Sequence, residues 1–152
     1  TGWAPVHYLY RSLPRQDLVA LYRLAQVGFV TSLKDGMNLV AKEYCACQTD
    51  DAPGALVLSE FAGAAAQLAD GALVVNPHHV EETADVLQQA LEMPADERRR
   101  RMAVMREVIA GQDIFWWVER FLRVALGEEA EMVETLRDYV PRLDTADSWA
   151  DV

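Results

Sequence analysis

The chain has 152 residues, 51% of them hydrophobic, which is enough for one domain with a real core and too apolar for a disordered segment. Its formal charge of -10 leaves no broad basic field, so binding to a DNA or RNA backbone lacks its main driving force. No apolar run approaches the ~20 residues that span a bilayer and nothing resembles a signal peptide, so a cytoplasmic protein without membrane or nucleic-acid partners is expected.

Val6-His7-Tyr8-Leu9-Tyr10 reads as a strand with almost nothing before it, as though Thr1 opened in the middle of a larger domain. Leu13-Pro14 ends it, and Leu18, Leu21, Tyr22 and Ala25 form a helix stripe leading to a second strand, Val27 to Thr31. Asp35-Gly36 breaks that strand, and Met37, Leu39, Val40, Tyr44 and Cys47 continue as a helix to about Gln48. A polar turn at Thr49 to Gly54 leads into a third strand, Ala55 to Ser59. A short alanine-rich helix near Ala64 to Leu68 and a fourth strand, Ala72 to Val75, follow. Four strands alternating with helices over short connections predict an α/β domain: a Rossmann-like parallel sheet with helices on both faces. Helices over Val80 to Leu91, Ala95 to Ala110, Ile114 to Leu126 and Glu129 to Val140 then add a helical C-terminal layer. Residues 1–142 form the expected domain and 143–152 an acidic, frayed tail.

In an open parallel sheet, ligands bind beyond the carboxyl ends of the strands, where three loops qualify: Leu13 to Arg15, Leu33 to Val40 and Ser59 to Ala65. The second is the most informative. A helix start at a strand end presents backbone N–H groups that hold an anion without any basic side chain. Asp35 is a carboxylate able to bind sugar hydroxyls, Gly36 permits close backbone approach, and Glu43 lies one helical turn beyond Leu39. The competing structural reading makes Asp35 a helix cap and Glu43 a solvated side chain.

The strings TSLKDGMNLVAKEYCACQ, LVLSEFAGAA and LVVNPHH resemble the nucleotide-sugar-binding half of the trehalose-6-phosphate synthases, retaining glycosyltransferases of the GT-B type. The resemblance runs from Trp3-Ala4-Pro5-Val6 to about Leu126, and DGMNLV followed by KEY is its specific part. It implies that Asp35, Gly36, Met37 and Asn38 bind the donor glucose, that the amides of Leu39 and Val40 contact the diphosphate, and that Glu43 holds the ribose. The nucleobase would lie near Leu13 and Leu18, where relatives often carry an aromatic residue in place of Leu13. Lys34 and Ser32 stand where arginine and proline are common.

The implied reaction transfers glucose from UDP-glucose, or a similar nucleotide-glucose, to glucose 6-phosphate with retained configuration. The leaving phosphate accepts the acceptor's proton, so no catalytic side chain, cofactor or metal is implied. The family has two lobes. This chain would supply most of the C-terminal one, without the acceptor-binding lobe or the arginine and lysine that neutralise the donor diphosphate, and the isolated chain would then be inactive.

Other features have plainer readings. Cys45 and Cys47 sit two apart on a helix and point in different directions, so free thiols are expected instead of a disulfide or zinc site. His7 reads as a packed or hydrogen-bonded histidine, and His78-His79 as structural or solvent-facing. Arg98 to Arg101 reads as a solvated face with local ion pairs. Phe115, Trp116, Trp117, Phe121 and Leu122 read as anchors of the terminal helices on the core, with some apolar surface left to meet the missing lobe or drive homo-oligomer formation. A non-catalytic Rossmann-like interaction or regulatory module is the alternative. A dinucleotide-dependent oxidoreductase is disfavoured because no G-x-G-x-x-G follows a strand.

Overall fold

The computed structural model describes residues 2–127. Three apolar runs form strands β1 (Val27–Val30), β2 (Ala55–Ser59) and β3 (Leu73–Val75), in a parallel sheet ordered β1-β2-β3. Parallel neighbours need a crossover connection. Here α2 (Leu39–Cys47) joins β1 to β2, and α3 (Ala65–Leu68) joins β2 to β3. Helix α1 (Arg15–Leu24) precedes the sheet, and α4 (Val80–Glu92), α5 (Ala95–Gly111) and α6 (Ile114–Ala125) follow it.

The central strand is buried along its whole length, and alternation along it separates two cores. Leu56 and Leu58 pack on one face with Tyr44 of α2, Leu68 of α3, and Met102 and Met105 of α5. Ala55 and Val57 point to the other face, against Val75, Ala90 of α4 and Met93. Each fully buried Leu or Met contributes about 1.5–3 kcal/mol of transfer free energy, so the helices on both faces are held chiefly through β2. Helix α5 shares the core of α2 and α3 through Met102 and Met105.

Tyr44 fixes where α2 lies on the sheet. Its hydroxyl donates to the carbonyl of Ala25 (3.1 Å), and its ring covers Gly28 so closely that a Cβ there would stand 2.7 Å from a ring carbon. A Cβ at Gly54 would collide with the Tyr44 hydroxyl and lie 2.9 Å from the Gln26 carbonyl. Two glycines thus let the aromatic ring sit on backbone, and burial pushes the Tyr44 pKa up. Gln48, also buried, ties the far end of α2 to Tyr22 through its amide (2.6 Å) and accepts from the Gly54 N–H (2.9 Å).

One expected strand does not form. Val6 to Tyr10 joins no ladder, and Val6, Tyr8 and Tyr10 are each at least 78% exposed. Period-2 patterning is a local property, whereas a strand needs a neighbour's N–H and C=O groups, and none is offered to this segment among the described residues. His7 is exposed with it and is neither packed nor hydrogen-bonded. The helix expected over Glu129 to Val140 and the acidic tail over 143–152 lie outside the described residues.

Three of the four arginines form the local ion pairs that the sequence suggests, whereas Arg98 is half-buried with its Nε buried and unpartnered. Arg99 pairs with Asp96 (2.6 Å), and Arg100 and Arg101 both pair with Glu97, whose carboxyl these hydrogen bonds hold below its ordinary range. Cys45 is buried, its thiol pushed up to about 12 by desolvation, and Cys47 is half-buried; both are free. Among the described residues no helix is long and apolar enough to cross a membrane.

Candidate functional site

The loop from Thr31 to Asn38 leaves the carboxyl end of β1 and turns into α2. Its conformation follows from a set of local hydrogen bonds. Asp35 accepts the Met37 N–H on Oδ1 (3.0 Å) and the Asn38 side-chain amide on Oδ2 (2.9 Å). Both donors favour the charged carboxylate, so Asp35 is held below the usual carboxylate range, with the Met37 amide the larger cause. Each oxygen keeps a further lone pair, and Asp35 remains partly exposed.

Asn38, not Asp35, caps the helix. It adopts a left-handed backbone (φ 71°), and its Oδ1 accepts the Ala41 N–H (2.9 Å), while its Nδ2 also donates to Ser32 Oγ (3.2 Å). Asparagine tolerates that conformation better than most residues. The helix-cap reading of Asp35 is therefore replaced by a two-residue device, in which Asn38 caps and Asp35 orients Asn38.

With the Met37 and Ala41 amides used internally, the N–H groups of Leu39 and Val40 are the first-turn donors left without an acceptor among the described residues. Their side chains are exposed. Both groups lie at the positive end of the nine-residue helix α2, a favourable place for an anion. One turn on, Glu43 is exposed and accepts from the Tyr22 hydroxyl (3.2 Å). The Tyr22 pKa is raised, by desolvation first and by that carboxylate second. Leu13 and Leu18 are half-buried at the start of α1, which packs along α2.

Beyond the loop opens a groove of about 510 Å³ whose walls include Gly36, Met37, Lys42, Trp116, Trp117 and Arg120. Two features of these walls were not visible in the sequence. Helix α6 has no buried residue, so its aromatics do not anchor it on the core; Trp117 stacks on Phe121 (5.4 Å between rings), and Arg120 lies over Trp116 (5.2 Å). Lys42, half-buried under the loop, has its pKa lowered by desolvation. The local pattern marks the α6 aromatics as apolar helix side chains but does not say that Trp116 and Trp117 look toward the Gly36 loop.

A parallel sheet whose strand ends carry an ordered carboxylate beside an open helix start is the layout of an α/β domain that takes ligands at its carboxyl edge. The chain belongs to glycosyltransferase family 20, whose model matches residues 1–126. It is 50% identical over 120 residues to the trehalose-6-phosphate synthase of Sinorhizobium fredii, a match covering 79% of this chain and 26% of that protein. The fold is that of solved members. An E. coli trehalose-6-phosphate structure bound with UDP-2-fluoro glucose superposes with a TM-score of 0.75 at 50% identity, over 80% of this chain and 27% of that one. The Burkholderia xenovorans alpha,alpha-trehalose-phosphate synthase (UDP-forming) in complex with glucose-6-phosphate gives a TM-score of 0.75 at 47% identity, covering 80% and 27%. The chain thus spans about a quarter of the length of the relatives it matches.

Proposed function

We propose that this chain is the donor-binding lobe of a trehalose-6-phosphate synthase, a retaining glycosyltransferase that moves glucose from UDP-glucose to glucose 6-phosphate. The observation that carries the proposal is the pair of unsatisfied N–H groups at Leu39 and Val40 beside the ordered Asp35 carboxylate, in a chain of this family. In this reading Asp35, Gly36, Met37 and Asn38 receive the glucose, Leu39 and Val40 the diphosphate, Glu43 the ribose, and Leu13 and Leu18 flank the uracil.

The chemistry asked of these groups is electrostatic. As the sugar–phosphate bond breaks, negative charge grows on the departing diphosphate, and fixed N–H dipoles stabilise it without reorganising. No nucleophilic side chain is needed when the leaving phosphate itself takes the acceptor's proton on the same face. The acceptor-binding lobe and the arginine and lysine that neutralise the diphosphate lie outside this chain, so alone it binds donor weakly and transfers no glucose. The setting is cytoplasmic, in keeping with two unpaired thiols.

The test is calorimetric titration with UDP and UDP-glucose of the chain and of an Asp35→Ala, Glu43→Ala double variant. Weakened binding in the variant is expected, and unchanged binding rejects the site. The exposed aromatic face of α6 favours one further reading, an interaction module. That reading requires self-association or a partner in sedimentation together with no response to either nucleotide.

A further inference from the structure

The local hydrogen bonds of the donor loop are backed by a second set, from the corner between β2 and α3. Asp35 forms an isolated parallel bridge with Ala62, its N–H donating to the Phe61 carbonyl (3.2 Å) and its own carbonyl accepting from the Gly63 N–H (2.9 Å). The Ala64 N–H donates to the Met37 carbonyl (2.6 Å). Behind this bridge Ser59, fully buried at the end of the central strand, donates from Oγ to the Ser32 carbonyl (2.6 Å) and accepts the Phe61 N–H (3.1 Å). One hydroxyl thus ties the two strand-end loops together, and Ser32 passes the constraint to Asn38 through its own Oγ.

Gly63 supplies the steric half. A Cβ at this position would collide with the Gly36 carbonyl oxygen and lie 2.8 Å from the Gly36 carbonyl carbon and 3.2 Å from the Met37 Cα. Every obstructing atom is backbone of the donor loop, so a methyl group must move the loop itself. Gly36 is the opposite case: a Cβ there meets nothing within 4 Å. The hydrogen bonds from the corner end at Met37 and Asn38, whereas the free amides of Leu39 and Val40 and the Glu43 carboxylate sit on α2, which Tyr44 also fastens to the Ala25 carbonyl and over Gly28.

We infer that Gly63 and Ser59 are positioning residues that template the Asp35–Asn38 loop for the sugar, and that sugar recognition is thereby structurally separable from nucleotide recognition within this site. The inference rests on the reading of Asp35–Asn38 as the glucose end of a donor site. Neither residue touches the ligand; each acts through the loop it holds. A merely stabilising residue would, on removal, weaken all ligands alike, whereas loss of this template weakens only the sugar-bearing one.

The experiment measures UDP and UDP-glucose affinities for the wild-type chain, Gly63→Ala and Ser59→Ala, with amide hydrogen exchange on all three. Expected is a loss of about tenfold in UDP-glucose affinity in each variant, the worth of one or two hydrogen bonds at the sugar, with UDP affinity changed by less than about twofold. Exchange should quicken at Asp35, Met37 and Ala64 while Leu56 to Leu58 stay protected. Equal losses for both ligands, or an unchanged preference for UDP-glucose, overturn the inference. If the wild type binds neither ligand, the donor-site reading fails instead, and unchanged exchange at Asp35, Met37 and Ala64 in both variants overturns the template by itself.

Discussion

At Asp35 a single side chain has two duties, and its protonation links them. The Met37 N–H and the Asn38 amide favour its ionised form, so its pKa lies below the value of about 3.9 found in unfolded chains. A group with a depressed folded pKa contributes stability that is fully present above the unfolded value and is lost as pH falls through the folded one. The loop should therefore keep its conformation from neutral pH down to about 5, and donor affinity should be flat over that range and fall only in stronger acid. Titrations of UDP-glucose at stepped pH check this; an Asp35→Asn variant should bind weakly at every pH and lose the acid limb. Gly36 gives a second test at this scale. Its missing Cβ would face open space, so Gly36→Ala should change urea unfolding by no more than about 0.5 kcal/mol yet lower donor affinity, since in the proposed site the space belongs to the ligand. The motif DGMN was legible because it is contiguous. The roles of Ser59 and Gly63 were not, because they depend on a bridge between residues 27 apart, such as Ser59 and Ser32, and the sequence offers only a glycine amid alanines as a hint.

Helix α2 is the element on which the proposed grip depends, and its start is set by Asn38. Replacing Asn38 with Ala removes the side-chain acceptor of the Ala41 N–H and puts a less tolerant residue at φ 71°, which should cost about 1–2 kcal/mol in urea unfolding. Asn38→Gly relieves the backbone but still loses the cap and should fall between Ala and wild type. The equality of both variants with wild type would show that the helix is positioned by Tyr44 and the core alone. Elements were readable where a continuous β-branched run was closed by turn residues: Ala55 to Ser59 forms β2 over those bounds, and Val27 to Thr31 and Ala72 to Val75 each lose one residue. Val6 to Tyr10 is also apolar and aromatic, yet it pairs with no strand among the described residues. The difference lies in the neighbour, which no local window contains.

At the scale of the molecule, the described residues divide into a well-packed sheet domain and an unburied helix. Ile114, Phe115, Phe121 and Leu126 of this C-terminal segment are each at least 58% exposed, an apolar surface of the kind that drives association. Sedimentation should show self-association of the isolated chain that rises with concentration and is reduced by Phe115→Glu with Phe121→Glu, whereas a monomer at every concentration would contradict it. The sequence marked Phe115, Trp116, Trp117, Phe121 and Leu122 as apolar anchors of the terminal helices. It did not show that Trp116, Trp117 and Phe121 line the groove beside the Gly36 loop instead of packing on the core, because a local pattern does not say where the helix goes.

The central claim is that the loop and helix start from Asp35 to Glu43 bind a nucleotide sugar, and the most direct measurement is titration of UDP-glucose into the chain and its Asp35→Ala, Glu43→Ala variant. The account predicts saturable, weak binding by the wild type and an affinity at least about tenfold lower in the variant, the loss of two polar contacts. Equal affinities, with both proteins folded, would contradict it.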